Sequence, residues 1–157
     1  SDKEVKCFCI VNSCSSYCTE SFKYNFLFNI LHMNEKVHLL AAEGYFQIAE
    51  TQNQEYEKTS DPDKRTALRS VSAQNFFYAA VNWIESVFAR NNEHSFNHEN
   101  RMSKIYENRP SFSEEIISLY QLVERDQRNK VTYRGENGPK YENIKKLARL
   151  MREKIGK

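Results

Sequence analysis

The chain is poor in residues that interrupt helices. Its 157 residues include four glycines and three prolines, too few for the frequent turns of a β-sandwich or barrel, and this favours an all-α class. Long apolar runs are missing as well. The strongest stretch, Phe22 to Leu31, is broken by Lys23, Asn25 and Asn29, well short of the roughly 20 apolar residues that span a bilayer. No membrane segment is expected. Nor is there an excess of either charge. The 23 basic and 21 acidic residues leave a formal charge of +2, which alone points to no polyanion partner. Cysteine is absent beyond Cys18, and Cys7, Cys9, Cys14 and Cys18 lack the paired C-x2-C spacing of a structural zinc site. The opening Ser-Asp-Lys-Glu has neither the charged region nor the apolar core of a secretory signal. Reduced thiols, a cytoplasmic location and no metal are therefore expected. Gly-rich phosphate loops, a Gly-x-Ser-x-Gly elbow and a His-Glu-x-x-His pair are also missing, so no cofactor is implied.

What is present is helical periodicity in a polar chain of mean hydropathy −0.77. Its length suits one well-buried core. The cysteine-bearing residues 1–32 read as an N-terminal extension and 33–157 as the principal domain. From Asn34, the series Val37, Leu40, Ala41, Tyr45 and Ile48 recurs near 3.6 residues and predicts a first helix ending near Lys58. Asp61 is an N-cap candidate with Pro62 at the first helical position. A second helix to about Arg90 would bury Leu68, Val71, Ser72, Asn75, Phe76, Ala79, Trp83 and Val87 and form the centre of the fold. Residues 97–108 read as a short helix with Met102, Ile105 and Tyr106 turned inward. Ser111 and Glu114 form a capping box for a third major helix, whose Ile116, Leu119, Tyr120 and Val123 face continues through Gln127 and Val131. After the turn 135–139 a final helix carries Ile144, Leu147, Ala148, Met151 and Ile155 on one stripe. The expected architecture is an up-and-down bundle of four main helices plus a short one.

Two features bear on function. The last helix is basic, with Lys140, Lys145, Lys146, Arg149, Arg152, Lys154 and Lys157 against Glu142 and Glu153; this suits either a solvated helix C-terminus or an RNA-facing surface. The second is the stretch Arg128 to Tyr133 on the third helix. Helical spacing puts Asp126, Asn129 and Tyr133 on one face and Arg128 and Thr132 on the next, so a cation, an amide and a phenol lie within two turns, as a phosphate-reading surface requires. Arg125 and Asp126 are adjacent candidates. His94 and His98 are spaced i, i+4 but lack an acidic or sulfur partner at a recognisable metal-ligand spacing.

The string Arg128-Asn129-Lys130-Val131-Thr132-Tyr133 resembles the Arg-Asn-x-x-x-His signature of HEPN domains (higher eukaryotes and prokaryotes nucleotide-binding), with Tyr133 where that family carries histidine. The helix order over about residues 34–155 is similar to the family's, as are the segment Phe77 to Glu85 and the loop His94 to Arg101. The resemblance implies a HEPN-like bundle acting as a nucleotide- or RNA-binding or regulatory module, a homodimer, and a place beside a nucleotidyltransferase-type antitoxin in a toxin–antitoxin or defence system. The alternatives are a metal-independent endoribonuclease with Arg128 and Tyr133 as catalytic residues, and a helical interaction domain without catalysis. By resemblance the nucleotide- or RNA-binding set is Arg125, Asp126, Arg128, Asn129 and Tyr133. Imidazole suits cleavage through the RNA 2′-OH because it exchanges protons near neutrality, and arginine stabilises phosphorane charge; a phenol can donate but is a poor base there. The competing structural reading pairs Arg128 with Glu124 one turn earlier, lets Asn129 order a dimer contact and packs the Tyr133 ring.

Overall fold

The computed structural model describes residues 33–156, and the four cysteines and the Phe22–Leu31 stretch lie outside them. The chain is all-α. Helices α1 (Glu35–Lys58), α2 (Pro62–Ala89), α3 (His98–Glu107), α4 (Glu114–Leu122), α5 (Arg128–Arg134) and α6 (Pro139–Ile155) follow in order. A 3-10 turn, Arg109–Ser111, precedes α4, and a π-helical turn, Val123–Gln127, joins α4 to α5. No helix among the described residues is long and apolar enough to cross a membrane.

Local chemistry sets most boundaries. The Asn34 side chain accepts from the Val37 amide at 3.1 Å, and Asp61 accepts from Asp63 and Lys64 at 2.9 and 3.0 Å with Pro62 at the first helical position, each satisfying amides that the first turn leaves unpaired. α4 departs from the sequence reading. Ser113, not Ser111, is its N-cap, accepting from the Ile116 amide at 3.2 Å. Ser111 is consumed by the 3-10 turn around Pro110, so the helix starts two residues later and Glu114 pairs with Arg109 at 2.6 and 2.7 Å instead of reaching back to a cap. Between α5 and α6, Gly135 adopts φ 66°, and a Cβ there would lie 2.9 Å from the Thr66 methyl. Conformation and space both require glycine.

As expected, α2 is central, packing against α1, α5 and α6. Phe46, Phe76 and Trp83 meet edge-on or tilted at 5.6–5.7 Å, and the α6 stripe of Ile144, Leu147, Ala148, Met151 and Ile155 is buried as read from sequence. The α1 stripe is a correction. His38, Ala42, Phe46, Ala49 and Asn53 form its buried face, while Val37, Leu40 and Ile48 are 41, 65 and 49% exposed. Two polar residues concealed the true core face from a hydrophobicity reading. Asn53 is satisfied inside, accepting from the Tyr141 hydroxyl at 2.8 Å, whereas His38 is only half satisfied: Nδ1 lies 3.1 Å from Asn82 Oδ1, and Nε2 is buried with no hydrogen-bond partner among the described residues. Val71 and Tyr106 are likewise exposed rather than core.

The Asn53–Tyr141 bond belongs to a buried cluster that fixes the register of α1, α2 and α6. Ser72 Oγ donates to the Ala49 carbonyl at 3.0 Å and lies 2.9 Å from the Tyr141 hydroxyl. Burial pushes the Tyr141 phenol up to about 12, opposed by its contact with the Ser72 hydroxyl, which favours ionisation. On the rim of α6 the cations are matched by carboxylates. Arg149 and Arg152 pair with Glu50 and Glu43 of α1 at 3.0 and 2.7 Å, Lys146 with Glu115 of α4 at 2.6 Å, Lys145 with Glu142 at 2.8 Å, and Lys140 with Glu136. The basic helix thus spends much of its charge on helix–helix pairing.

Candidate functional site

The chemistry-bearing residues converge where α3 crosses the junction of α4 and α5. That junction is the π turn, in which the Arg128 amide bonds back to the Val123 carbonyl. A π turn inserts one residue into the helical register and recurs at functional sites. Here it precedes Arg128 directly.

Glu124 is the hub. Its side chain is 9% exposed, and three groups reach it from three directions. The Tyr120 hydroxyl donates to Oε2 at 3.1 Å, Arg128 approaches Oε1 at 3.5 Å, and His98 Nδ1 lies 2.5 Å from the same Oε1. His98 occupies the first position of α3, after the Asn97 cap, and its side chain is 59% exposed. With Nδ1 engaged by a carboxylate, Nε2 is the nitrogen offered to a ligand. Behind the hub, Arg101 reaches the Tyr120 hydroxyl at 3.3 Å and Glu85 at 3.1 Å. Glu85 in turn accepts from the Ser95 amide at 3.1 Å and from the Ser95 hydroxyl, and lies 3.7 Å from His94 Nδ1. This continuous polar network pins the 90–97 loop against α2. Burial drives the Tyr120 phenol well above its ordinary value, with the Glu124 charge adding to the effect and Arg101 opposing it. Tyr120 is therefore a fixed donor.

A pocket of about 220 Å³ opens beside the hub, lined by His98, Glu99, Met102, Tyr120, Gln121, Glu124 and Arg125. A shallower one of 310 Å³, lined by Ser118, Gln121, Leu122, Arg125 and Asp126, lies on the other side of Gln121 and Arg125. Arg125 is exposed and in no ion pair among the described residues.

The residues singled out in the sequence separate into different environments. Arg128 is partly buried, with its guanidinium 4.7 Å from the centre of the Phe77 ring and paired to Glu124; its Nε is buried without a hydrogen-bond partner. Asp126 pairs with Lys130, whose ammonium holds the carboxyl below its usual range against a small opposing desolvation. Asn129 is exposed and Tyr133 is 72% exposed, and neither lines the two pockets beside the hub. Of the sequence candidates, only Arg125 and Arg128 belong to the hub and its pocket, and Asp126 joins Arg125 in the shallower one. His98, Tyr120 and Glu124 complete the site. Their separation along the chain hid His98, because the helix that carries it is brought to the carboxylate by tertiary packing alone. No family model, no curated protein and no solved structure matches this chain.

Proposed function

We propose that this chain is a HEPN-like nucleotide- or RNA-binding module whose phosphate site is the pocket between α3 and α4. The convergence of His98 and Arg128 on one oxygen of a nearly buried carboxylate, at the wall of a pocket edged by the unpaired Arg125, carries the reading. Arg125 supplies an available guanidinium for bidentate phosphate recognition. His98 Nε2 supplies a second contact, while Met102 offers apolar surface to a base or ribose. The helix order and the Arg128-Asn129 pair support the HEPN-like assignment. A regulatory role beside a nucleotidyltransferase-type partner is consistent with it.

A second reading, metal-independent RNA cleavage, is favoured by one contact. Glu124 orients His98 through Nδ1, the arrangement that makes an imidazole a general base. Nε2 would take the 2′-OH proton as O2′ bonds to phosphorus and the P–O5′ bond breaks. The imidazolium would return that proton to the departing O5′, leaving a 2′,3′-cyclic phosphate and a 5′-hydroxyl. In this reading His98 replaces Tyr133 in the acid–base role.

The test incubates the protein, without metal, with a labelled mixed-sequence RNA and with mononucleotides, comparing wild type, Arg125→Ala and His98→Ala. Both side chains are exposed, so folding should be unaffected. Binding at least tenfold weaker in Arg125→Ala, with intact RNA throughout, is the expected result; cyclic-phosphate products lost in His98→Ala would establish the nuclease instead. Equal retention by all three proteins would remove the pocket from consideration.

A further inference from the structure

A larger cavity, of about 590 Å³, opens between α1 and the C-terminal half of α6, within the size range of sites for small organic ligands. Phe46, Glu50 and Gln54 line it from α1 at i, i+4 and i+8, and Arg149, Arg152, Glu153 and the C-cap Gly156 from α6. It shares no lining residue with the α3–α4 pocket. Its cations are already committed. Arg149 donates to Glu50 at 3.0 and 3.2 Å and Arg152 to Glu43 at 3.0 and 2.7 Å, and two bonds apiece hold each guanidinium flat and fixed. That of Arg152 also lies 4.7 Å from the centre of the Phe46 ring. Glu153 differs, having no ion pair among the described residues. It stands in the last turn of α6, where the helix end adds negative potential. The uncommitted charge of the cavity is therefore a carboxylate, which disfavours a phosphate and suits an uncharged ligand that donates N–H groups.

The floor supplies the complementary donor. Trp83 is the sole tryptophan of the chain and is 1% exposed. Its ring packs on Phe46 with centres 5.7 Å apart, and its Nε1 lies beneath Gly156, where a Cβ would come within 3.1 Å of that nitrogen and 2.8 Å of the Arg152 carbonyl oxygen. Gly156 has φ −76°, so space and not backbone conformation excludes a side chain there. The indole N–H donates to no atom among the described residues, although a buried indole ordinarily finds an acceptor and loses stability without one. Glu153 and Gly156 share a helix face at i, i+3, about 5–6 Å apart, so an N–H donor and a carboxylate acceptor are offered one turn from each other. We propose that the α1–α6 cavity binds an uncharged planar heterocycle with a cyclic-amide edge, of the guanine type. Its ring carbonyl accepts from the Trp83 indole, its neighbouring ring N–H and amino group donate to Glu153, and its faces stack on the fixed guanidiniums. Adenine has a ring nitrogen where guanine has that N–H, and would set a lone pair against the carboxylate. This site neither requires nor assists phosphate recognition between α3 and α4.

The experiment titrates the full chain with guanosine and with adenosine, nucleosides without the phosphate that the α3–α4 pocket would read. Trp83 fluorescence reports this cavity alone, and equilibrium dialysis with labelled nucleoside measures binding independently of the reporter. Guanosine is expected to change the emission saturably, with adenosine at least tenfold weaker. Glu153→Gln should weaken guanosine at least tenfold with unchanged circular dichroism and thermal unfolding, because the side chain is exposed and has no ion pair to lose. Gly156→Ala, which covers the indole nitrogen, should weaken guanosine as well. Absence of guanosine binding by dialysis, or equal affinity for the two nucleosides that Glu153→Gln leaves intact, would overturn the assignment.

Discussion

Arg128 shows how one side chain can be read in two ways. As part of a phosphate-reading motif it should be available, yet its guanidinium lies against Phe77 and Glu124, with Nε buried. It holds the fold as well as any ligand, so Arg128→Ala would disturb both, and the exposed Arg125 and His98 are cleaner probes. Glu124→Ala should be more damaging still, because it strips the partner from Arg128 and Tyr120 together. Breaking a largely buried pair costs 3–5 kcal/mol, and Arg128 retains some water, so a loss of about 2–3 kcal/mol is expected in urea unfolding. His98→Ala should change stability by less than about 0.5 kcal/mol, as surface pairs do. The buried tyrosines predict a pH limit. For Tyr141, held at about 12 by burial, the folded state retains a proton that the unfolded chain releases near 10. Its contribution is complete below about pH 10 and is lost as pH rises towards 12. Tyr120 is shifted the same way. Alkaline unfolding followed by tyrosinate absorbance should therefore be cooperative, with Tyr141→Phe flattening the fall by up to about 1.4 kcal/mol per pH unit.

At the level of elements, punctuation was legible and orientation less so. Pro62 after Asp61, Gly135 and Pro139 mark real boundaries because each acts through local backbone geometry. The α6 stripe was equally clear, since only one of its faces is apolar. α1 was not. It carries two stripes of the same pitch, one entering the core with His38 and Asn53 in it and one facing outwards, and periodicity cannot choose between them. His98 was illegible as part of the site for another reason: its partner Glu124 is distant in sequence, and only helix packing joins them. The basic α6 misled through its composition, because Glu43, Glu50 and Glu115, which answer its cations, belong to other helices. The start of α4 gives a direct check. Ser113→Ala should cost about 1 kcal/mol through loss of the bond to the Ile116 amide. Ser111→Ala should stay within about 0.5 kcal/mol, because that residue only passes through the 3-10 turn. Comparable losses would reinstate the earlier helix start.

For the whole molecule the deciding quantity is how many cations remain available to a polyanion. A net charge of +2 conceals an arrangement in which α6 pairs with α1, α4 and its own neighbours, while Arg125 beside the pocket has no ion pair among the described residues. RNA held at the pocket would displace counterions chiefly with one group, Arg125. For single strands each neutralised phosphate contributes about −0.7 to the slope of log K against log salt, so the pocket predicts a slope near −0.7. An RNA track along α6 would engage about five cations and give a slope near −3.5. Measuring affinity from low to moderate salt separates the two without mutation. A steep slope would mean that α6 gives up its carboxylate partners for phosphate. A shallow one, reduced further in Arg125→Ala, would confine recognition to the neighbourhood of Glu124, where an anionic ligand must compete with a carboxylate that already holds Arg128 and His98.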